Sequence, residues 1–284
     1  MNTRWEYLLI PSFVVSFVLL AASQLTFLRG SLSADLGLGN LSTTLGWDNY
    51  RTIFSDEFYV RSLWLTIRVS AIATVLTLLM SFPVAYVIAR MRSRWAMFML
   101  AGVVVSSFVT IVIKVYGLIV IFSANGGLNK LMMALGLFDK PYTIIGNPTG
   151  VVVGLMQFTM GFSVLLLYSV VRTIPRSLEE AATIHGASRP RVFMKVILPL
   201  SLPGIIVGAL MMFNMCMGAF TSASLLGGGR VFTLPVLIQR AVIVETKYGM
   251  GAALAGVLLV AVVVINLVSI VLVRRLRSAR LVIA

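Results

Sequence analysis

Charge is scarce in this chain. Only 11% of its 284 residues are Asp, Glu, Lys or Arg, where a soluble domain carries about a quarter. Acids are scarcer still, nine against 23 basic residues. There is one histidine, His185, and one cysteine, Cys216. Each shortage excludes something. A single cysteine forms no internal disulfide, and a single histidine gives no His-pair metal site. Cys216 sits in an apolar run and reads as a packing residue. No metal, no cofactor and no catalytic residue is expected, because a Ser-His triad or a zinc site has too few partners here. No carboxylate lies deep in any apolar run, so the acidic proton relay common in secondary carriers is missing. Gly227-Gly228-Gly229-Arg230 is glycine-rich, but no Lys-Ser or Lys-Thr comes after it and no strand pattern precedes it. It therefore reads as a flexible turn and not as a nucleotide loop.

The chain is rich in apolar length. Hydrophobic residues make up 59%, in continuous runs of the roughly 20 residues that cross a bilayer as a helix. The runs do not alternate, which argues against a barrel and for helices that satisfy their own backbone. The expected class is all-α, a polytopic membrane protein of six spans, at about 7–28, 62–89, 95–122, 148–171, 202–222 and 251–273. Pro83 is expected to kink the second span. The organisation reads as a first helix and external segment over 1–61, a five-helix core over 62–273, and a basic tail over 274–284. Arg4 followed by an apolar stretch and Ala21-Ala22-Ser23 also fits a cleavable signal segment.

The net charge of +14 is divided among short loops, which argues against nucleic acid as a partner. Thirteen basic residues fall in segments placed inside: Arg4, three in 90–94, five in 172–195 and four in the tail. Eight fall outside, and acids show the reverse bias, three inside and six outside. The positive-inside rule then puts both termini in the cytoplasm.

The polar island from Arg176 to Pro203 interrupts the apolar pattern. Ser177 and Glu180 have the spacing of a capping box. Leu178, Ala181, Ala182 and His185 share one helical face, mostly of small side chains suited to close docking. Gly186 is expected to end the helix in a left-handed turn. Ser188 is placed to cap a second short helix with Pro190 in its first turn. Pro199 and Pro203 are placed to interrupt or kink the chain as it re-enters an apolar run. Two further GxxxG spacings, Gly150/Gly154 and Gly204/Gly208, suggest close helix contact.

Glu180-Ala181-Ala182, three residues, Gly186, nine residues, then Val196-Ile197-Leu198-Pro199 resembles the cytoplasmic EAA loop of ABC importer permeases, here within 172–200. Val196 stands where the family has isoleucine. Asn49-Tyr50, Phe82-Pro83-Val84-Ala85-Tyr86, Gly127-Leu128-Asn129 and Leu225-Leu226-Gly227-Gly228 look like the polyamine (spermidine/putrescine) branch of that family. The resemblance runs from about Asn49 to Leu259. It implies a multi-pass permease in a bacterial inner membrane with a retained first helix. It implies three kinds of protein partner: ABC ATPase subunits on separate chains, a second permease subunit, and an extracytoplasmic solute-binding protein. Glu180, Ala181, Ala182, His185 and Gly186 become the residues expected to couple to the ATPase. His185 departs from the aliphatic residue common before this glycine.

Along the pathway, Lys114 is the clear ionisable residue near mid-span, either facing a polar route or bonded to carbonyls at a helix break. Arg68, nearer an outer end, is expected to snorkel. Asn214, Met211 and Met215 on the fifth span are candidate lining residues, against a packing role. Two other functional readings stand beside the importer: a stand-alone channel or secondary carrier, and a passive structural membrane protein. Aminoethylphosphonate stands as an alternative substrate.

Overall fold

The computed structural model describes residues 6–37, 39–137 and 140–281, with side chains over 10–271 except in the two gaps. Arg4 lies outside the described residues, as do the side chains of Arg274, Arg275, Arg277 and Arg280. Among the described residues, six helical stretches are long and apolar enough to cross a membrane: Ile10–Ser31, Glu57–Arg90, Ile111–Ala134, Pro148–Arg172, Arg189–Met217 and Tyr248–Val271. The contacts divide the chain into two units, residues 64–233 and residues 1–63 with 234–284.

In the second of these, α1 (Glu6–Ser31) and the short α12 (Leu234–Gln239) pack along α13 (Tyr248–Leu281). Between α1 and the short helix α2 (Asp48–Ser55) stands an antiparallel hairpin, β1 (Ser33–Gly37) with β2 (Asn40–Leu45), the one sheet among the described residues. Side chains staple it. The Asn49 amide donates to the carbonyls of Ser31 (3.2 Å) and Ser33 (2.9 Å). The Asp35 carboxylate accepts the Gly249 and Met250 amides, both at 2.8 Å. These are orphan donors of the first turn of α13, where a negative charge is favoured.

The other unit is built around α7 (Pro148–Arg172), with half of its most apolar window buried. Against it lie α3 (Glu57–Arg90), whose first turns belong to the other unit, α4 (Trp95–Phe108), α5 (Ile111–Phe122), α10 (Leu198–Met217) and α11 (Thr221–Leu226), with α6 (Gly127–Ala134) folded against α5. Its apolar core includes Phe82, Ala85, Ile88, Ala89, Val164, Leu167, Val171, Ile174 and Ile197. A seam of small polar residues runs beside it. Thr77 meets Thr159 at 3.3 Å, Ser81 meets Ser163, and Thr159 also bonds the Leu155 carbonyl. In lipid there is little hydrophobic force between helices, so small residues and interhelical hydrogen bonds hold them together. Both GxxxG pairs lie at such contacts. A Cβ on Gly154 would overlap Leu226, and one on Gly204 would sit 2.5 Å from Val170.

The third and fifth spans differ from the sequence expectation. Residues 95–122 do not form one helix: α4 stops at Phe108, Val109 and Thr110 are extended, and α5 restarts at Ile111. At 14 residues, α4 is about 21 Å long, short of a hydrocarbon core about 30 Å thick. The fifth span begins earlier and ends earlier than 202–222. Helix α9 (Arg189–Val192) has only four residues and is no separate short helix. It passes through a π-helical turn, Phe193–Ile197, straight into α10. Pro199 has no N–H for the Lys195 carbonyl, and the preceding turn widens so that Leu198 donates to Phe193. The helices run on through Pro83 and Pro203.

Candidate coupling loop and pathway residues

The loop helix α8 (Arg176–Ile184) is the candidate site's centre. Pro175, with φ −60° and ψ 135°, is its N-cap, so the helix starts before the cap position expected at Ser177. Ser177 is thereby inside the first turn, and the expected capping box is absent: no side chain bonds the cap and Glu180 is exposed. The other end matches expectation. Gly186 has φ +79°, its amide donates to Thr183 (2.9 Å), and the Ala187 amide donates to Ala182 (3.0 Å), the two bonds of a Schellman cap. Ser188 is the N-cap of α9 by backbone, with Pro190 in its first turn, but its hydroxyl makes no cap bond.

Helix α8 has two faces. Arg176, Glu179 and Ala182 are less exposed than their neighbours, Glu179 at 16% by side chain. Leu178, Ala181, Ile184 and His185 lie outward, Ile184 at 84%. The exposed apolar surface therefore includes Ile184, whose aliphatic side chain near the glycine adds its largest part. Leu178 at 44% and Met194 at 59% exposure extend the apolar surface around the loop.

The inward face reaches residues that sequence reasoning left out. Glu179 forms an ion pair with Arg90, Nε to Oε1 2.5 Å, with the side chains only 13% (Arg90) and 16% (Glu179) exposed. The Tyr86 hydroxyl donates to the second carboxylate oxygen of Glu179 at 2.9 Å. Arg90 also donates to the Ile174 carbonyl at 2.9 Å. Arg176 in turn donates to the carbonyls of Ala89 (3.4 Å) and Arg90 (3.3 Å), acceptors that the end of α3 leaves without helical partners. Phe193 of the π turn stacks edge-on against Tyr86 and leans on Phe82, with ring centroids 5.1 and 5.3 Å apart.

The pathway candidates are not brought together with the loop. Lys114 is half-buried on α5, one turn past the break at Val109-Thr110, and no carboxylate lies within ion-pair distance of it among the described residues. Val109 and Thr110 are exposed on this chain. Non-helical backbone at membrane depth is tolerated where protein covers it or water reaches it. On α10, Met211 and Asn214 are exposed and Met215 is half-buried, while Met212 and Met217 are fully buried. The methionine stripe thus splits into a packing face and an open face that carries Asn214. Arg68 is exposed on α3.

The two asparagines of the polyamine-type resemblance hold backbone. The Asn129 amide donates to Ser123 (2.7 Å) and Tyr142 (2.8 Å) and accepts from the Tyr142 amide. Asn49 holds the hairpin by the same means. Gly228 and Gly229 have φ +53° and +70°, and Gly146 donates to the Leu226 carbonyl beside them at 2.8 Å. The glycine cluster is a defined turn seated on the segment before α7.

Six long apolar helical stretches, with a polar loop helix between the fourth and the fifth, define a multi-pass membrane protein. Residues 81–278 match the family of binding-protein-dependent transport system inner membrane components. The chain belongs to that family, and it is the permease component of an ABC importer. It is 31% identical over 208 residues to the spermidine/putrescine transport system permease protein PotB of Haemophilus influenzae, covering 73% of this chain and 72% of the relative. It is 27% identical over 241 residues to the trehalose transport system permease protein SugB of Mycobacterium tuberculosis, covering 84% and 81%. The fold is that of a bacterial ABC transporter for the acidic polysaccharide alginate, with TM-score 0.80, 19% identity and 95% of each chain covered. It is also similar to the methionine transporter MetNI, with TM-score 0.61, 18% identity, and 76% of this chain and 94% of the other covered.

Proposed function

We propose that this permease admits polyamines of the spermidine/putrescine type, delivered by an extracytoplasmic binding protein and driven by an ATPase on separate chains. A second permease subunit completes the route. The exposed apolar face of α8 carries the coupling part of this reading: Leu178, Ala181, Ile184 and His185 present a docking surface, with Glu180, Ala182 and Gly186 shaping and ending the helix. The 31% identity to PotB supports the substrate class. Lys114, Asn214, Met211 and Met215 line the route where the second permease closes it, which also covers the break at Val109-Thr110. The core over 62–273, which follows the first helix and external segment of 1–61 in the chain, carries the function, with the basic tail of 274–284 and both termini in the cytoplasm.

A route with Lys114 and no deep carboxylate selects poorly for a polycation, so selection falls to the binding protein. The same lysine favours a second reading, a solute that carries an anionic group, such as aminoethylphosphonate. Two measurements test these readings. The chain, expressed with its genomic neighbours, should copurify with a P-loop ATPase; a chain that transports alone would be a channel or carrier instead. Calorimetry on the neighbouring binding protein should show tight binding of spermidine or putrescine. Binding of aminoethylphosphonate alone would select the second reading, and binding of neither would refute both.

A further inference from the structure

We infer that Arg90, Glu179 and Tyr86 form a latch that positions the coupling helix on the inner end of α3, so that ATPase movement enters the membrane through the second span. The inference rests on the docking role proposed for α8. Its basis is separate, because it uses the face of α8 that an ATPase would not touch.

Three observations carry it. First, the partners lie far apart in sequence but converge in space: the Arg90 guanidinium and the Glu179 carboxylate are 2.5 Å apart. Both side chains are more than four-fifths buried, where a charge without its partner is costly. Second, the contact is reciprocal. Arg90 bonds the Ile174 carbonyl just before α8, and Arg176 from α8 bonds the carbonyls of Ala89 and Arg90. Each segment caps the other, so neither can slide without breaking bonds on both sides. Third, Tyr86 joins the latch to the chain beyond α8. Its hydroxyl holds Glu179 and its ring packs on Phe193 in the π turn that leads into α10. Apart from this network and the Schellman cap, α8 has little to hold it, with no buried residue of its own.

A push on the outward face of α8 therefore passes to α3 through the carboxylate of Glu179. The experiment uses the assembled transporter in proteoliposomes, with its ATPase, partner permease and loaded binding protein. Glu179→Gln and Arg90→Gln should each lower binding-protein-stimulated ATPase activity by about tenfold or more, because a buried pair that loses one member leaves the other without its partner. The amount of copurifying ATPase should not change, because the docking face is intact. The reversed double variant, Arg90→Glu with Glu179→Arg, should recover most of the stimulation. Tyr86→Phe keeps the ion pair and should cost about twofold to threefold, the scale of one hydrogen bond. Normal stimulation in Glu179→Gln would overturn the latch. So would loss of copurifying ATPase in Tyr86→Phe, which would make the network a folding element only. A wild-type chain that recruits no ATPase would bring down the docking reading and this inference together. Normal coupling in wild type and variants alike overturns the latch alone.

Discussion

Two ion-pair clusters in this chain use the same chemistry and do different work. Arg90 and Glu179 are 13% and 16% exposed. Arg240, Glu245 and Lys247 form the other, with Glu245 held at 3.1 and 3.0 Å and the three side chains 34–54% exposed. Water screens the second cluster, and exposed pairs contribute about 0–1 kcal/mol. The first cluster lies where losing one partner strands a charge, at a cost on the order of 3–5 kcal/mol. Environment, and not the pairing itself, decides which cluster the fold depends on. The buried pair spans two segments that nothing else ties as firmly, while the exposed one closes a turn that backbone bonds already hold.

The largest expected effect tests that contrast directly. Glu179→Ala should lower the thermal unfolding midpoint of the purified permease complex well beyond Glu245→Ala, by a margin matching about 3 kcal/mol or more against less than about 1. Scanning fluorimetry of both variants in one detergent reads the difference. Equal shifts would mean that burial does not separate the clusters.

A second substitution asks whether the latch or the helix end matters more. Gly186 sits at φ +79° with nothing within 4 Å of where a Cβ would lie. Replacement there is penalised by conformation and not by crowding, at about 1–3 kcal/mol for a β-branched residue. Gly186→Val should insert in the membrane normally but abolish uptake, because the Schellman cap that sets the end of α8 is lost. Gly186→Asn, which tolerates left-handed backbone, should keep part of the activity. Full uptake by a well-expressed Gly186→Val chain would leave Arg90, Glu179 and Tyr86 as the sole determinants of the loop.

The features legible in the sequence obey local rules. The apolar runs, the left-handed Gly186, the α9 cap position and the GxxxG contacts all depend on neighbours a few residues apart. The failures have identifiable causes. Ser177 looks like a helix cap because its spacing to Glu180 is right, but Pro175 fixes the backbone two residues earlier and starts the helix there. The break at Val109-Thr110 has no glycine or proline to announce it, so the run from Trp95 to Phe122 reads as one helix. Arg90 and Glu179 meet only after α3 and α7 have packed, and no local pattern pairs them. The asparagines of the resemblance carry a family signal without saying what they bond; in the fold Asn49 and Asn129 satisfy backbone carbonyls. Lys114 stands half-buried one turn from the break at Val109-Thr110, a break that no residue in the run announces.

The smallest expected effect belongs to the exposed cluster and depends on pH. The hydrogen bond from Lys247, helped by Arg240, lowers the Glu245 carboxyl below its ordinary value of 4.5. The same bond raises Lys247 above 10.5. A carboxylate with a lowered folded pKa adds stability that is fully present above its unfolded pKa and is lost as pH falls through the folded value. A lysine with a raised folded pKa adds stability that is fully present below its unfolded pKa and is lost as pH rises through the folded value. The cluster therefore contributes across the neutral range and fades below about pH 4.5 and above about pH 10.5. Because the side chains are a third to a half exposed, the change should stay within about 1 kcal/mol. The backbone supports this limit: Glu245 and Lys247 donate to the carbonyls of Arg240 and Ala241 at 3.0 and 2.8 Å, bonds that do not titrate. Hydrogen exchange of the 245–247 amides, corrected for intrinsic rate, should rise only a few-fold between about pH 6 and about pH 3.5. Glu245→Gln should remove most of that rise. A large acid-induced opening that survives in Glu245→Gln would show that another group governs this turn, and that exposure alone does not make a pair dispensable.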